Sequence, residues 1–143
     1  MDKRDIPFLS AAELSRLIQS REVSPLEATE AYLERIGRVD AGLNSYITVC
    51  RDEALQAARE AERAIAAGRY LGPLHGIPVA VKDQFNTKGI RTTAGSNILW
   101  DHVPDEDATV VANLKNAGAV LLGKLNLSEF ALGESFHHPA GTP

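Results

Sequence analysis

The residues of this chain that could do chemistry fall into a few short constellations. Gly118-Ala119-Val120-Leu121-Leu122-Gly123-Lys124 has the glycine and lysine spacing of a phosphate-binding loop, but Leu125 stands where a serine or threonine should meet magnesium. The four residues between its glycines are apolar and read as a strand, without the open amides that cradle a phosphate. Lys124 is therefore expected as a polar residue where that strand emerges. Gly133-Glu134-Ser135-Phe136-His137 approaches a nucleophile elbow, yet His137 replaces the second glycine that the sharp strand-to-helix turn needs. His137 and His138 lack a third ligand at metal spacing, so no metal site is expected, and the segment reads as a polar loop.

Lys82 is of greater interest because it ends the apolar run Val79-Ala80-Val81 and precedes Asp83. A lysine held away from water loses its proton more readily, and a neutral amine can serve as a base for a hydroxyl nucleophile. The residues alone favour a plainer reading, an ordinary solvated pair between Lys82 and Asp83 at the strand's end. Thr87-Lys88-Gly89-Ile90-Arg91-Thr92-Thr93-Ala94-Gly95-Ser96 follows, a turn-rich loop that becomes the wall of a site only if Lys82 is catalytic.

The elements that must position these groups can be read from local signals. Ser10 and Glu13 have the spacing of a capping box, which predicts a helix to about residue 20 burying Leu14, Leu17 and Ile18. Ser24 and Glu27 repeat the box with Pro25 at the first helical position, predicting a second helix to about residue 39 with Leu26, Thr29, Leu33 and Ile36 inside. An alanine-rich helix should span 51–67, presenting Ala54, Ala57, Ala58, Ala61 and Ile65, and end at Gly68. The Gly- and Pro-rich stretch 72–78 marks the one internal boundary. Beyond it, Val79 to Lys82 reads as a strand, Asp105 or Asp107 caps a helix ending before Gly118, and Ala119 to Leu122 reads as a second strand. Together they predict a βαβ unit with parallel pairing. A further short helix is expected from Asn126. A layer that stops two strands in leaves sheet edges and helix faces for another chain or further sequence to cover.

Composition narrows the function classes. At 143 residues the chain is of single-domain size, and 44% hydrophobic with 24% charged residues is a globular balance. Fifteen basic against nineteen acidic residues leave a net charge of −4, with no basic stripe to hold nucleic acid. Cys50 is the sole cysteine, so neither an internal disulfide nor a thiolate metal cluster is expected. No apolar run approaches the ~20 residues of a membrane span, and no secretory signal is evident at the N-terminus. A cytoplasmic location without a membrane partner is therefore expected.

Two collinear blocks carry a resemblance. Leu74-His75-Gly76-Ile77-Pro78-Val79-Ala80-Val81-Lys82-Asp83 with Gly89-Ile90-Arg91-Thr92-Thr93-Ala94-Gly95-Ser96 closely resembles the amidase signature family. Asp107-Ala108-Thr109-Val110-Val111 and the run from Gly118 through Ala131 are similar to it as well. The resemblance implies an α/β fold, with N-terminal helices followed by the start of a mixed β-sheet flanked by helices. It assigns 1–143 to the N-terminal part of a single domain, 1–70 as a helical region and 71–143 as the first part of the α/β core. It implies hydrolysis of carboxylic amide C–N bonds by a serine, cis-serine and lysine triad, a relative of the histidine-containing arrangement. Lys82 falls on the family's lysine, the only catalytic position the resemblance places here. In the family both serines lie in a Gly-Gly-Ser-Ser-Gly-like segment beyond Pro143, and Ser96, Ser128 and Ser135 match neither.

The isolated chain is accordingly expected to be inactive. A small-molecule amide is the implied substrate, no cofactor is needed, and a homodimer is open. The tail 133–139 is more similar to stand-alone amidases, which sets that reading ahead of the ammonia-releasing component of a glutamyl/aspartyl-tRNA amidotransferase, its A subunit. A non-catalytic interaction module is the alternative from another class.

Overall fold

The structure is a computed structural model that describes residues 2–132. The constellation at 133–138 lies outside the described residues. Both capping boxes form. Ser10 Oγ accepts the Glu13 amide at 3.2 Å while the Glu13 carboxylate accepts the Ser10 amide at 2.9 Å. Ser24 and Glu27 repeat the exchange at 3.1 and 2.8 Å. With orphan amides satisfied, α1 (Ala11–Gln19) and α2 (Pro25–Val39) start where their caps dictate. Leu14 and Ile18 of α1 are buried and Leu17 only partly so. In α2 the buried stripe runs through Ala28, Thr29, Ala31 and Leu33, with Leu26 and Ile36 at its margins.

A short strand, β1 (Tyr46–Val49), separates α2 from α3 (Arg51–Ala66). No strand is predicted at 46–49 from the sequence. Ala54 and Ala58 of α3 pack with Leu33 of α2 and with Val120 and Leu122 of the sheet, and their small side chains permit that close approach. A second cluster joins Leu14, Ile18, Val23, Ala28, Ala31, Ile65 and Ile77. Helices and sheet therefore share adjoining cores.

The sheet is mixed. β2 (Pro78–Lys82) runs parallel to β3 (Val120–Leu125), and β1 lies antiparallel on the other side of β3, giving the order β1-β3-β2. The expected βαβ unit is present, with α4 (Thr109–Asn116) as its helix. Two local expectations are corrected. Ala108 is the residue before α4 and supplies no side-chain cap. Asp107 instead accepts the Lys88 amide at 2.7 Å and the Lys115 ammonium at 2.8 Å, tying the preceding loop to α4's last turn. The expected helix from Asn126 is one 3-10 turn, Glu129–Ala131, in which Phe130 and Ala131 have φ of 50° and 57°.

β3 explains why the phosphate-loop spacing is misleading. Val120–Leu125 is extended throughout, so the apolar spacer is the strand itself. Gly118, at φ 80°, brings its backbone against the His75 ring, where a Cβ would collide. Gly123 opposes Val49, and a Cβ there would strike the Thr48 carbonyl. Both glycines serve close packing.

Candidate active site

Lys82 occupies the C-terminal end of β2, beside Leu125 across the parallel ladder. It is half-buried, and among the described residues its side chain makes no hydrogen bond or ion pair. The solvated Lys82–Asp83 pair expected from the residues alone is therefore corrected. Asp83 is completely buried and its carboxylate faces Lys124, 3.2 Å from Oδ1 to Nζ.

Lys124 is itself fully buried, contrary to the expectation of a polar residue where the strand emerges. The ammonium donates to Thr92 Oγ1 at 2.6 Å and to the Phe85 carbonyl at 2.9 Å. Asp83 Oδ1 takes no hydrogen bond, so its contact with Lys124 is electrostatic. Asp83 Oδ2 accepts the Thr93 hydroxyl at 2.6 Å and the Thr93 amide at 2.9 Å. Burial lowers Lys124 from the ordinary lysine range, and the neighbouring Asp83 carboxylate opposes that shift. The partners around its Nζ replace the water lost on burial.

The backbone at Asp83 is held as well. Its amide donates to the Leu125 carbonyl at 2.9 Å, and its carbonyl accepts the Ala94 amide at 3.0 Å. The residue immediately after Lys82 is thus anchored through amide, carbonyl and carboxylate. Thr93 Oγ1 also accepts the Gly95 amide at 3.1 Å, folding the hydroxyl-rich loop back over the strand end. Ser96 Oγ donates to Glu129 Oε1 at 2.6 Å, and the Phe130 amide donates to the Ala94 carbonyl at 2.7 Å. The loop that the sequence marks only as turn-rich is therefore tied to the end of β2 and to the turn following β3.

Other reactive groups lie apart from Lys82. Cys50 is buried at the start of α3, and burial, with Glu53 nearby, pushes its thiol up to about 11. A protonated thiol is a poor nucleophile. His75 Nδ1 accepts the Leu71 amide at 3.1 Å, and its ring stacks on Tyr70. A cavity of about 620 Å³ with Cys50, His75, Lys88 and Lys115 in its lining does not include Lys82. Among the described residues no cluster of His, Cys, Asp or Glu could hold a metal ion.

In chemical terms the site offers an amine that no described side chain engages, at the carboxyl end of a parallel strand, the part of an open α/β sheet where ligands commonly bind. Beneath it lies a buried ionic network. Sequence reasoning places Lys82 and its loop but misses Lys124 and Asp83 as a pair. The alternation of a strand, which buries every second side chain, was the available signal at Lys124.

A family profile described as Amidase matches residues 27–143. Over 127 residues the chain is 57% identical to the A subunit of the glutamyl-tRNA(Gln) amidotransferase from Geobacter sulfurreducens, covering 89% of this chain and 26% of that protein. Its counterpart from Moorella thermoacetica is 48% identical over 139 residues, covering 97% and 28%. The chain thus spans about a quarter of the length of these curated relatives. Among solved structures, a native peptide amidase from Stenotrophomonas maltophilia superposes with a TM-score of 0.81 and 41% identity, over 87% of this chain and 26% of that one. With the family profile spanning most of its length and the same mixed α/β arrangement in the peptide amidase, this chain belongs to the amidase family of amidase signature enzymes.

Proposed function

We propose that this segment supplies the proton-carrying lysine of an enzyme that hydrolyses carboxylic amides, and that residues 1–143 form the N-terminal part of its single catalytic domain. The observation that carries the reading is Lys82, an amine without a side-chain partner among the described residues, set at the end of β2. In this mechanism a serine hydroxyl oxygen attacks the amide carbonyl carbon, and its proton passes through a second, cis-peptide serine to the Lys82 nitrogen. The same proton returns to the departing nitrogen as the C–N bond breaks, leaving an acyl-serine ester. Water then adds to the ester carbonyl, giving one proton to the Lys82 nitrogen through the bridging serine, and as the acyl–oxygen bond breaks that proton returns to the nucleophilic serine oxygen, releasing the carboxylic acid and leaving Lys82 neutral again. The serines come from sequence beyond the described residues.

For the substrate, the role of an amidotransferase component that releases ammonia from glutamine for amidation of an aminoacyl-tRNA is supported by the relatives at 57% and 48% identity. A stand-alone amidase is the second reading, favoured by the similarity to the peptide amidase at 41%. Glutamine and a C-terminally amidated peptide, offered separately to the complete polypeptide that contains these residues, distinguish them by which one releases ammonia. Replacing Lys82 by alanine in that polypeptide is expected to lower amide hydrolysis by about 10⁶-fold, by analogy with the loss of the proton-carrying base of the subtilisin triad. Substantial activity in a folded Lys82→Ala protein would overturn the assignment.

A further inference from the structure

We infer that the buried Lys124–Asp83 pair is the positioning device for the Lys82 amine, an inference that rests on the proposed role of Lys82. Lys82 makes no side-chain bond among the described residues, so its own contacts there do not fix it. What is fixed is the backbone on which it stands. Asp83 follows it directly and is pinned by its amide to Leu125, by its carbonyl to Ala94, and by its carboxylate to Thr93 and Lys124.

The ladder places Lys124 beside Val81 and Leu125 beside Lys82. Successive strand side chains alternate, so Lys124 and Lys82 project to opposite faces of the sheet. Lys124 therefore works from below the strand end. Its ammonium gathers Asp83, the Phe85 carbonyl and Thr92 onto one charge, and Thr87 Oγ1 donates to the same Phe85 carbonyl at 3.1 Å. These groups belong to the end of β2 and to the loop after it, and all of them are drawn to a single point on β3. An apolar strand end could be packed equally well without ions, since buried ion pairs are often neutral or costly for stability. What an ionic centre adds is a unique geometry, because each partner is oriented as well as buried.

The test uses the complete polypeptide and four variants: Lys124→Met, Asp83→Asn, the double Lys124→Met/Asp83→Asn, and Lys82→Ala. Each single change at the pair leaves a buried polar or charged partner unmatched and is expected to lower both melting temperature and kcat. The double variant removes both charges and is expected to recover thermal stability. Its kcat is expected to stay about 100-fold below that of the parent with KM unchanged, the loss that a misplacement near 1 Å can cause. A purely structural pair predicts that kcat recovers together with the melting temperature, and that result would overturn the inference. Should the double variant fail to fold, Thr92→Val decides, because it keeps both charges and removes one partner of the ammonium. A lowered kcat at constant KM is expected there, and an unchanged kcat would reject the positioning role. Lys82→Ala separates the two claims. Activity retained in that variant removes the catalytic assignment, whereas activity lost there but complete in the folded double variant removes only the positioning device.

Discussion

Lys82 ends β2 while Lys124 is the penultimate residue of the neighbouring β3, and their surroundings differ sharply. Lys124 is enclosed and spends its hydrogen bonds on the protein, whereas Lys82 is half-buried with its amine uncommitted among the described residues. An amine available for proton transfer needs the second environment. A cation organising a fold needs the first. His75 gives a residue-scale prediction that bears on stability. Its ring is buried, Nδ1 accepts a backbone amide, and burial holds its pKa below the ordinary histidine value. The unfolded chain therefore binds a proton at higher pH than the native one does. The stabilisation from neutral His75 is complete above roughly pH 6.5 and is lost as pH falls through the lower native value. In His75→Asn, Oδ1 can replace Nδ1 as acceptor without titrating there. Melting temperatures measured from pH 8 to pH 5 should fall more steeply in the parent than in this variant, and parallel profiles would show that His75 does not control the slope.

At the scale of elements, the helices obey their local code closely. Both boxes close with the residues the spacing indicates, and Pro25 enters the first turn of α2, where its missing amide costs nothing. Ser24→Ala removes the acceptor for the Glu27 amide, and urea unfolding should register a loss of about 1 kcal/mol. An unchanged midpoint would mean that tertiary packing alone sets the start of α2. The strands obey a less local rule. β1 has only four residues, Tyr-Ile-Thr-Val, a run with good β propensity whose pairing partners lie 74 to 79 positions on, at 123–125. The start of α4 escapes local reading for a related reason. Asp107 has the chemistry of a cap, but the Lys88 amide and the Lys115 ammonium claim its carboxylate. Those bonds hold the carboxyl below the usual aspartate range against the opposing effect of burial.

For the whole molecule, the chain spans about a quarter of its curated relatives, and the proposed chemistry draws on more polypeptide than the 131 described residues. Under the proposed mechanism, ammonia release measured on the 143-residue chain alone and on the complete polypeptide should differ as background from turnover, since the proposal assigns the acyl-carrying serine to other sequence. Amide hydrolysis by the short chain would place the nucleophile within it and overturn the mechanism. What the sequence by itself determined was whatever depends on near neighbours: the two capped helices, the alanine face of α3, the β2-α4-β3 unit, and the breakdown of the phosphate-loop motif. The tertiary structure alone decided that β1 completes the sheet, that Asp107 is a tether, and that Lys124 and Asp83 meet in the interior. Caps and periodicities act within a few residues of themselves, so composition and spacing express them. The partners of a buried charge are brought from positions 83, 85 and 92 to position 124 by the folding of the chain, and no local pattern encodes that distance.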